Sequence, residues 1–182
     1  MHARLRSWVL LASALILGWT DEARAKVYLT REEATRLAFG PSATVSEERR
    51  APSPHVRTTI ERRLGRPVPE EGFTFYVGRS ADGVQGYGVV LEEMGKHEPI
   101  AFFVAISPDG HVKDVMILEY RESRGGEVRQ KGFLKQYVGK TSQDPMEPDQ
   151  DITPITGATI SARAISDGVK KALIIWEALY KE

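Results

Sequence analysis

Apolar positions along this chain follow two different periods, and the switches between them mark its elements. Thr30-Arg31-Glu32-Glu33 opens a helical stretch as a capping box, in which Thr30 and Glu33 each satisfy a backbone N–H left unpaired at a helix start. Ala34, Leu37 and Ala38 form its apolar face, and Gly40-Pro41 stops it. After a short extended piece around residues 43–45, Val56, Ile60 and Leu64 recur every fourth residue, which predicts a second helix over 54–64 ended by Gly65. From Phe73 the pattern becomes that of strands, over 73–77, 84–91, 100–106 and 112–120, each rich in β-branched or aromatic residues. Asp82-Gly83 and Pro108-Asp109-Gly110 read as tight turns, and Gly95 with Pro99 marks the loop between the two strand pairs. A short helical piece with Phe133, Leu134 and Tyr137 ends at Gly139, followed by a polar loop over 141–154. Helical spacing returns from Ser161, with Ala162, Ile165, Val169, Ala172, Leu173, Trp176 and Tyr180 on one stripe and Ser166, Lys170, Lys171 and Glu177 off it. The expected architecture is α+β: an antiparallel β-sheet meander packed with flanking helices and closed by a C-terminal amphipathic helix.

Composition narrows the function classes. A chain of 182 residues with 41% hydrophobic and 27% charged residues reads as one globular domain. With 25 Lys and Arg against 25 Asp and Glu, no global field favours a nucleic-acid partner. Arg49, Arg50, Arg57, Arg62, Arg63 and Arg66 crowd one region, but interleaved glutamates and missing aromatics make it a solvated face. The absence of Cys excludes disulfides, thiolate metal sites, iron–sulfur clusters and thiol catalysis. At the N-terminus, Arg4 and Arg6 precede an apolar run from Trp8 to Trp19, and Ala23-Arg24-Ala25 precedes Lys26. Residues 1–25 therefore read as an export signal that places residues 26–182 in the periplasm or cell exterior, or, if uncleaved, as an N-terminal anchor that holds them at the inner membrane.

Thr156-Gly157-Ala158-Thr159-Ile160-Ser161 is the stretch that carries candidate chemistry. It delivers small and hydroxyl residues to the start of the last helix, where unpaired N–H groups and the positive dipole end favour an anion such as a phosphate. Thr or Ser ahead of a helix is also an ordinary N-cap, and Gly an ordinary turn residue. The longer pattern, hydroxyl-Gly-Ala-Thr-any-hydroxyl, would arise by chance in about one chain of this size in a thousand.

At these residues the sequence resembles the FMN-binding domain family, which includes the covalent-flavin subunits of the Rnf electron-transport complex and of the sodium-pumping NADH:quinone reductase. In that family a Ser/Thr-Gly-Ala-Thr-x-Ser/Thr motif carries FMN through its phosphate on the Thr after Ala. The resemblance implies Thr159 as the acceptor, with Thr156, Gly157, Ala158 and Ser161 around it, and a separate FAD-dependent flavin transferase that makes the phosphodiester. Family members also place a Glu followed by Thr-Pro-Gly-x-Gly after a strand, near the flavin. This chain keeps Glu122, Gly125 and Gly126 at that position and lacks Thr-Pro. It also has Thr153, with Asp151 two residues earlier, where the family usually has Asp six residues before the acceptor. The resemblance covers residues 83–173, within a single domain that has an N-terminal helical extension.

The function so implied is an exported electron-transfer flavoprotein serving a membrane or periplasmic redox partner, rather than a stand-alone enzyme. Two alternatives stand beside it. A flavin-dependent reductase of a small acceptor needs a hydride donor, and no G-x-G-x-x-G fingerprint follows a strand. A non-catalytic exported binding module would use Thr159 only as a cap. Gly86-Tyr87-Gly88 reads equally as a strand irregularity or a ligand contact, and His55, His97 and His111 lack metal-ligand spacing. Asp144, Glu147, Asp149 and Asp151 read as a solvated acidic loop rather than a cation site.

Overall fold

The computed structural model describes residues 26–181; the expected signal or anchor over 1–25 lies outside the described residues. Strands β2 (Thr44–Arg50), β3 (Phe73–Ser80), β4 (Gly83–Met94), β5 (Pro99–Ile106) and β6 (Val112–Tyr120) pair antiparallel in chain order. A short β1 (Lys26–Val27) joins the far edge beside β6, completing the order β1-β6-β5-β4-β3-β2. The meander is the one expected, and both turns and the 95–99 loop fall where the glycines and prolines put them.

The central strand explains why both sheet faces are covered. On β5, Ile100, Phe102, Val104 and Ile106 join one buried cluster, while Ala101, Phe103 and Ala105 join a second on the opposite face. Burial on both faces is why this strand reads as a continuous apolar run. Helix α1 (Arg31–Phe39) supplies Ala34, Ala38 and Phe39 to the second cluster. Its start is the predicted capping box, with Thr30 Oγ1 accepting from Glu33 N–H at 3.1 Å and Glu33 accepting from Thr30 N–H at 2.8 Å. Helix α2 (Pro54–Leu64) and the C-terminal α4 (Thr159–Tyr180) cover the first cluster, together with 3-10 turns on either side of the short α3 (Lys131–Leu134).

Three features depart from the expected elements. Strand β2 extends through Arg50 rather than ending near Val45, because its polar Thr-Val-Ser-Glu-Glu-Arg-Arg sequence pairs along its whole length with β3 as a largely exposed edge. Helix α4 starts at Thr159, not Ser161. It is also buried beyond one stripe: Ala164, Ser166, Ile174 and Ile175 are all buried, because α4 is wedged between the sheet and the segments packed outside it. Ser166, expected off the stripe, is 1% exposed and shares a 2.9 Å hydrogen bond with the Tyr137 hydroxyl. Burial raises that phenol's pKa well above its ordinary value, against the opposing effect of Ser166.

Gly-Tyr-Gly in β4 is a packing device. A Cβ on Gly88 would run into the Phe103 ring, within 2.8 Å of Cε1 and closer still to Cζ. The arginine-rich region is a solvated face whose charges pair: Arg57 with Glu70, Arg63 with Glu177, and Arg66 with the buried Glu93 through two 2.8 Å hydrogen bonds.

Candidate functional site

Strand β6 ends at Tyr120, and the chain then turns across the end of the sheet as the loop 121–126. The motif reaches the same end from the opposite direction, where it begins α4. Gly157 makes that entry with φ +81°, a left-handed conformation costly for residues with a Cβ, and nothing stands within 4 Å of where a Cβ would be. Ala158, 3% exposed, takes the N-cap position and offers no side-chain acceptor. A helix of 22 residues therefore begins with its first N–H groups uncapped by any side chain.

The three motif hydroxyls have separate surroundings. Thr156 and Thr159 are exposed, and among the described residues neither hydroxyl meets a protein partner. Ser161 is 5% exposed and turned inward, 3.1 Å from the Tyr120 hydroxyl. None of the three caps the helix, so a capping role does not account for the Thr159 hydroxyl.

The loop is held from both sides. Glu122 Oε1 accepts hydrogen bonds from the N–H groups of His97 at 2.6 Å and Glu98 at 3.2 Å, tying the loop to the β4–β5 turn. Burial pushes the Glu122 carboxyl up, but the N–H groups of His97, Glu98 and Lys96 outweigh it and hold the pKa below the ordinary carboxylate value. Gly125, with φ +77°, passes so close to the start of α4 that a Cβ would lie 3.3 Å from the Ala158 Cα. The Gly126 carbonyl accepts from Arg129 Nε at 2.9 Å, and the Arg129 guanidinium stacks 4.5 Å above the Tyr28 ring.

Two clefts flank this loop. One, of about 970 Å³, opens between the loop, Tyr28, Arg129 and Thr156-Gly157. The other, of about 460 Å³, lies between the 95–98 turn, Arg124 and the start of α4, with Thr159, Ile160 and Ser161 on its wall. Glu122, Ser123, Arg124 and Gly157 line both. Both volumes suit a cofactor-sized ligand. Lys96, His97 and Arg124 add cationic or protonatable groups opposite the positive end of α4, a setting suited to an anion. The residues proposed from sequence at 122, 125–126, 156–159 and 161 thus meet at one end of the sheet. Tyr28, Lys96 and Arg129 were not among them; they come from three separate segments, and no local pattern marks them, whereas Arg124 lies inside the loop between the proposed Glu122 and Gly125. His97, expected in an exposed turn, lies in one, at the rim of the smaller cleft.

The acidic loop lies apart from this cleft wall. Asp144 accepts from the Thr141 N–H and hydroxyl at 2.7 and 2.8 Å, while Asp151 pairs with Lys140 at 2.6 Å. Among the described residues, no three metal-ligating side chains are grouped to hold an ion.

Residues 95–174 match the FMN-binding domain family, a segment running from the Lys96 turn through the loop and motif into α4. Over that segment the chain is similar to the family. The chain is similar to a subunit of the Na(+)-translocating ferredoxin:NAD(+) oxidoreductase complex of Acetobacterium woodii, 27% identical over 132 residues that cover 67% of this chain and 64% of the relative. It is also similar to the corresponding subunit of the proton-translocating ferredoxin:NAD(+) oxidoreductase complex of Clostridium ljungdahlii, 29% identical over 106 residues, 54% of this chain and 57% of the relative. The chain thus spans less than two thirds of the length of either curated relative. Its fold matches the crystal structure of Shewanella oneidensis NqrC with a TM-score of 0.51 at 15% identity, over 80% of this chain and 71% of that one. Among the described residues, no helix is long and apolar enough to cross a membrane.

Proposed function

We propose that this chain carries FMN joined through its phosphate to the Thr159 hydroxyl and works as an electron carrier for a membrane-associated redox complex outside the cytoplasm. The observation that carries the reading is the exposed, unpartnered Thr159 hydroxyl on the first turn of an uncapped 22-residue helix, facing Lys96, His97 and Arg124. When bound, FMN supplies the one- and two-electron chemistry. The protein's part is to bind and orient. The N–H groups at the start of α4, with the helix dipole and the Lys96 and Arg124 charges, would hold the phosphate. Gly157 keeps the approach open, and Ala158 anchors the turn in the core. Glu122 holds the 95–98 turn in place, while Gly125 and Gly126 let the loop pass the helix end closely enough to wall the clefts.

Attachment by an FAD-dependent flavin transferase would exchange the FAD pyrophosphate bond for a phosphodiester at Thr159 Oγ1, with AMP leaving and the hydroxyl proton released. A covalent link suits a compartment where lost cofactor cannot be replaced. The relatives' place in ferredoxin:NAD(+) oxidoreductase complexes supports a redox partner in the membrane. Export or anchoring by residues 1–25 would place the domain accordingly. Coexpression with the transferase, followed by intact mass and peptide mapping, tests the reading. A flavin increment on the peptide containing Thr159 is expected. Unmodified protein from a transferase-competent host refutes the attachment. Fractionation of the native host and N-terminal sequencing test the location, which full-length soluble protein in the cytoplasm would overturn.

A further inference from the structure

The last hydroxyl of the motif does something different from Thr159. Tyr120, 5% exposed at the end of β6, donates its single hydroxyl proton to the Arg124 carbonyl at 2.6 Å. A carbonyl can only accept, so that proton is committed. The 3.1 Å contact between the Tyr120 and Ser161 hydroxyls is then made with Ser161 as donor. Gly125 closes over this knot: a Cβ there would lie 3.1 Å from Tyr120 Oη and 3.2 Å from Ser161 Oγ. Three segments meet at one pair of hydroxyls, namely the end of β6, the loop 121–126 and the first turn of α4.

We propose that Ser161 and Tyr120 form a latch that docks the 121–126 loop on the start of α4, making Ser161 a positioning residue for the flavin site and not a flavin ligand. The geometry separates the two roles on one helical turn. Thr159 is exposed and without a protein partner, whereas Ser161 faces inward with its proton engaged. The latch sets the spacing between the two cleft walls, because the loop carries Arg124 on one side and the helix carries Thr159 on the other. Its consequence for cofactor loading rests on the function proposed above; the latch itself is a property of the flavin-free protein.

Amide hydrogen exchange on flavin-free protein, made without the transferase, reads the latch directly. Ser161→Ala should speed exchange across residues 121–126 by about five- to tenfold, the effect of one lost buried hydrogen bond, and Tyr120→Phe, which loses two, by at least as much, with the β5–β6 amides unchanged. Ser161→Thr should restore protection to within about twofold. In protein coexpressed with the transferase, Ser161→Ala should still take flavin at Thr159, more slowly and with a weaker visible circular dichroism band, and Ser161→Thr should rescue both. Unchanged loop exchange in both Ser161→Ala and Tyr120→Phe overturns the latch. Intact loop protection combined with total loss of flavin in Ser161→Ala overturns it too, since that pattern belongs to a ligand. If wild-type protein takes no flavin while the exchange results hold, the proposed function fails and the latch stands.

Discussion

Replacing Thr159 with Val should abolish covalent flavin at almost no cost in stability, and the magnitude follows from comparing two helix starts in the same molecule. At α1, Thr30 is a working cap: its hydroxyl accepts the Glu33 N–H at 3.1 Å, and Glu33 reciprocates at 2.8 Å. Thr30→Val should lose about 1 kcal/mol, the usual value of a cap. At α4 the cap position belongs to Ala158, Thr159 is the first helical residue, and its hydroxyl has no partner among the described residues. Thr and Val are both β-branched and differ little in helix propensity, so Thr159→Val should stay within about 0.5 kcal/mol of wild type. In a domain of this size about 1 kcal/mol corresponds to roughly 2–4 °C in melting temperature. The assay is denaturant or thermal unfolding of flavin-free protein made without the transferase, because a bound cofactor adds its own stabilisation. Intact mass of the coexpressed variants supplies the second readout, in which Thr159→Val should lack the flavin increment and Thr159→Ser should retain part of it. A loss of about 1 kcal/mol or more in flavin-free Thr159→Val would show that the hydroxyl has a structural role, and flavin retained on that variant would move the attachment elsewhere.

Glycine 168 offers an opposite test, since helix propensity alone predicts a gain of about 1 kcal/mol for Gly168→Ala. The new Cβ would come within 3.0 Å of Phe102 Cε2 and closer still to Cζ, on a fully buried ring, so a net loss of about 1–3 kcal/mol is expected from unfolding curves. Glu122→Ala removes the acceptor for the His97 and Glu98 N–H groups; it should shift the spectrum or midpoint potential of bound flavin while the two-state unfolding transition persists, and loss of that transition would make the loop structural. The 141–152 segment should loosen in acid. The Thr141 N–H and hydroxyl lower the Asp144 pKa; at Asp151 burial pushes upward but Lys140 and the Glu147 and Met146 N–H groups outweigh it. Both acids thus bind protons more weakly when folded, and their contribution is present above the unfolded carboxylate range and lost as pH falls below about 4. Unfolding midpoints between pH 7 and 3 should drop less in Asp144→Asn/Asp151→Asn than in wild type, and parallel curves would refute the assignment.

Much of this molecule is written locally. The capping box at Thr30, the turns at Asp82-Gly83 and Pro108-Asp109-Gly110, and the strand periods from Phe73 onward each depend on near neighbours, so the antiparallel meander and its helices follow from short windows of sequence. The motif from Thr156 to Ser161 was legible for the same reason, since its Gly, small and hydroxyl residues are consecutive. What lay beyond the sequence depends on segments that meet only in the folded chain. Strand β2 carries almost no apolar pattern and is defined by its partner β3. Ser166 is buried because Tyr137 reaches it from another element. The cleft walls join residues near 28, 96, 124 and 159, which no window spans. The division of labour among the motif hydroxyls is set by the start of α4. With the first helical residue at Thr159, positions 159 and 161 lie about 200° apart around the axis, so the Thr159 side chain is exposed while the Ser161 hydroxyl is buried against Tyr120. Sequence alone determined that a hydroxyl-rich, glycine-entered helix start exists here; the packing of β6, the loop and α4 decided that the Ser161 hydroxyl is engaged in the interior while those of Thr156 and Thr159 stay open.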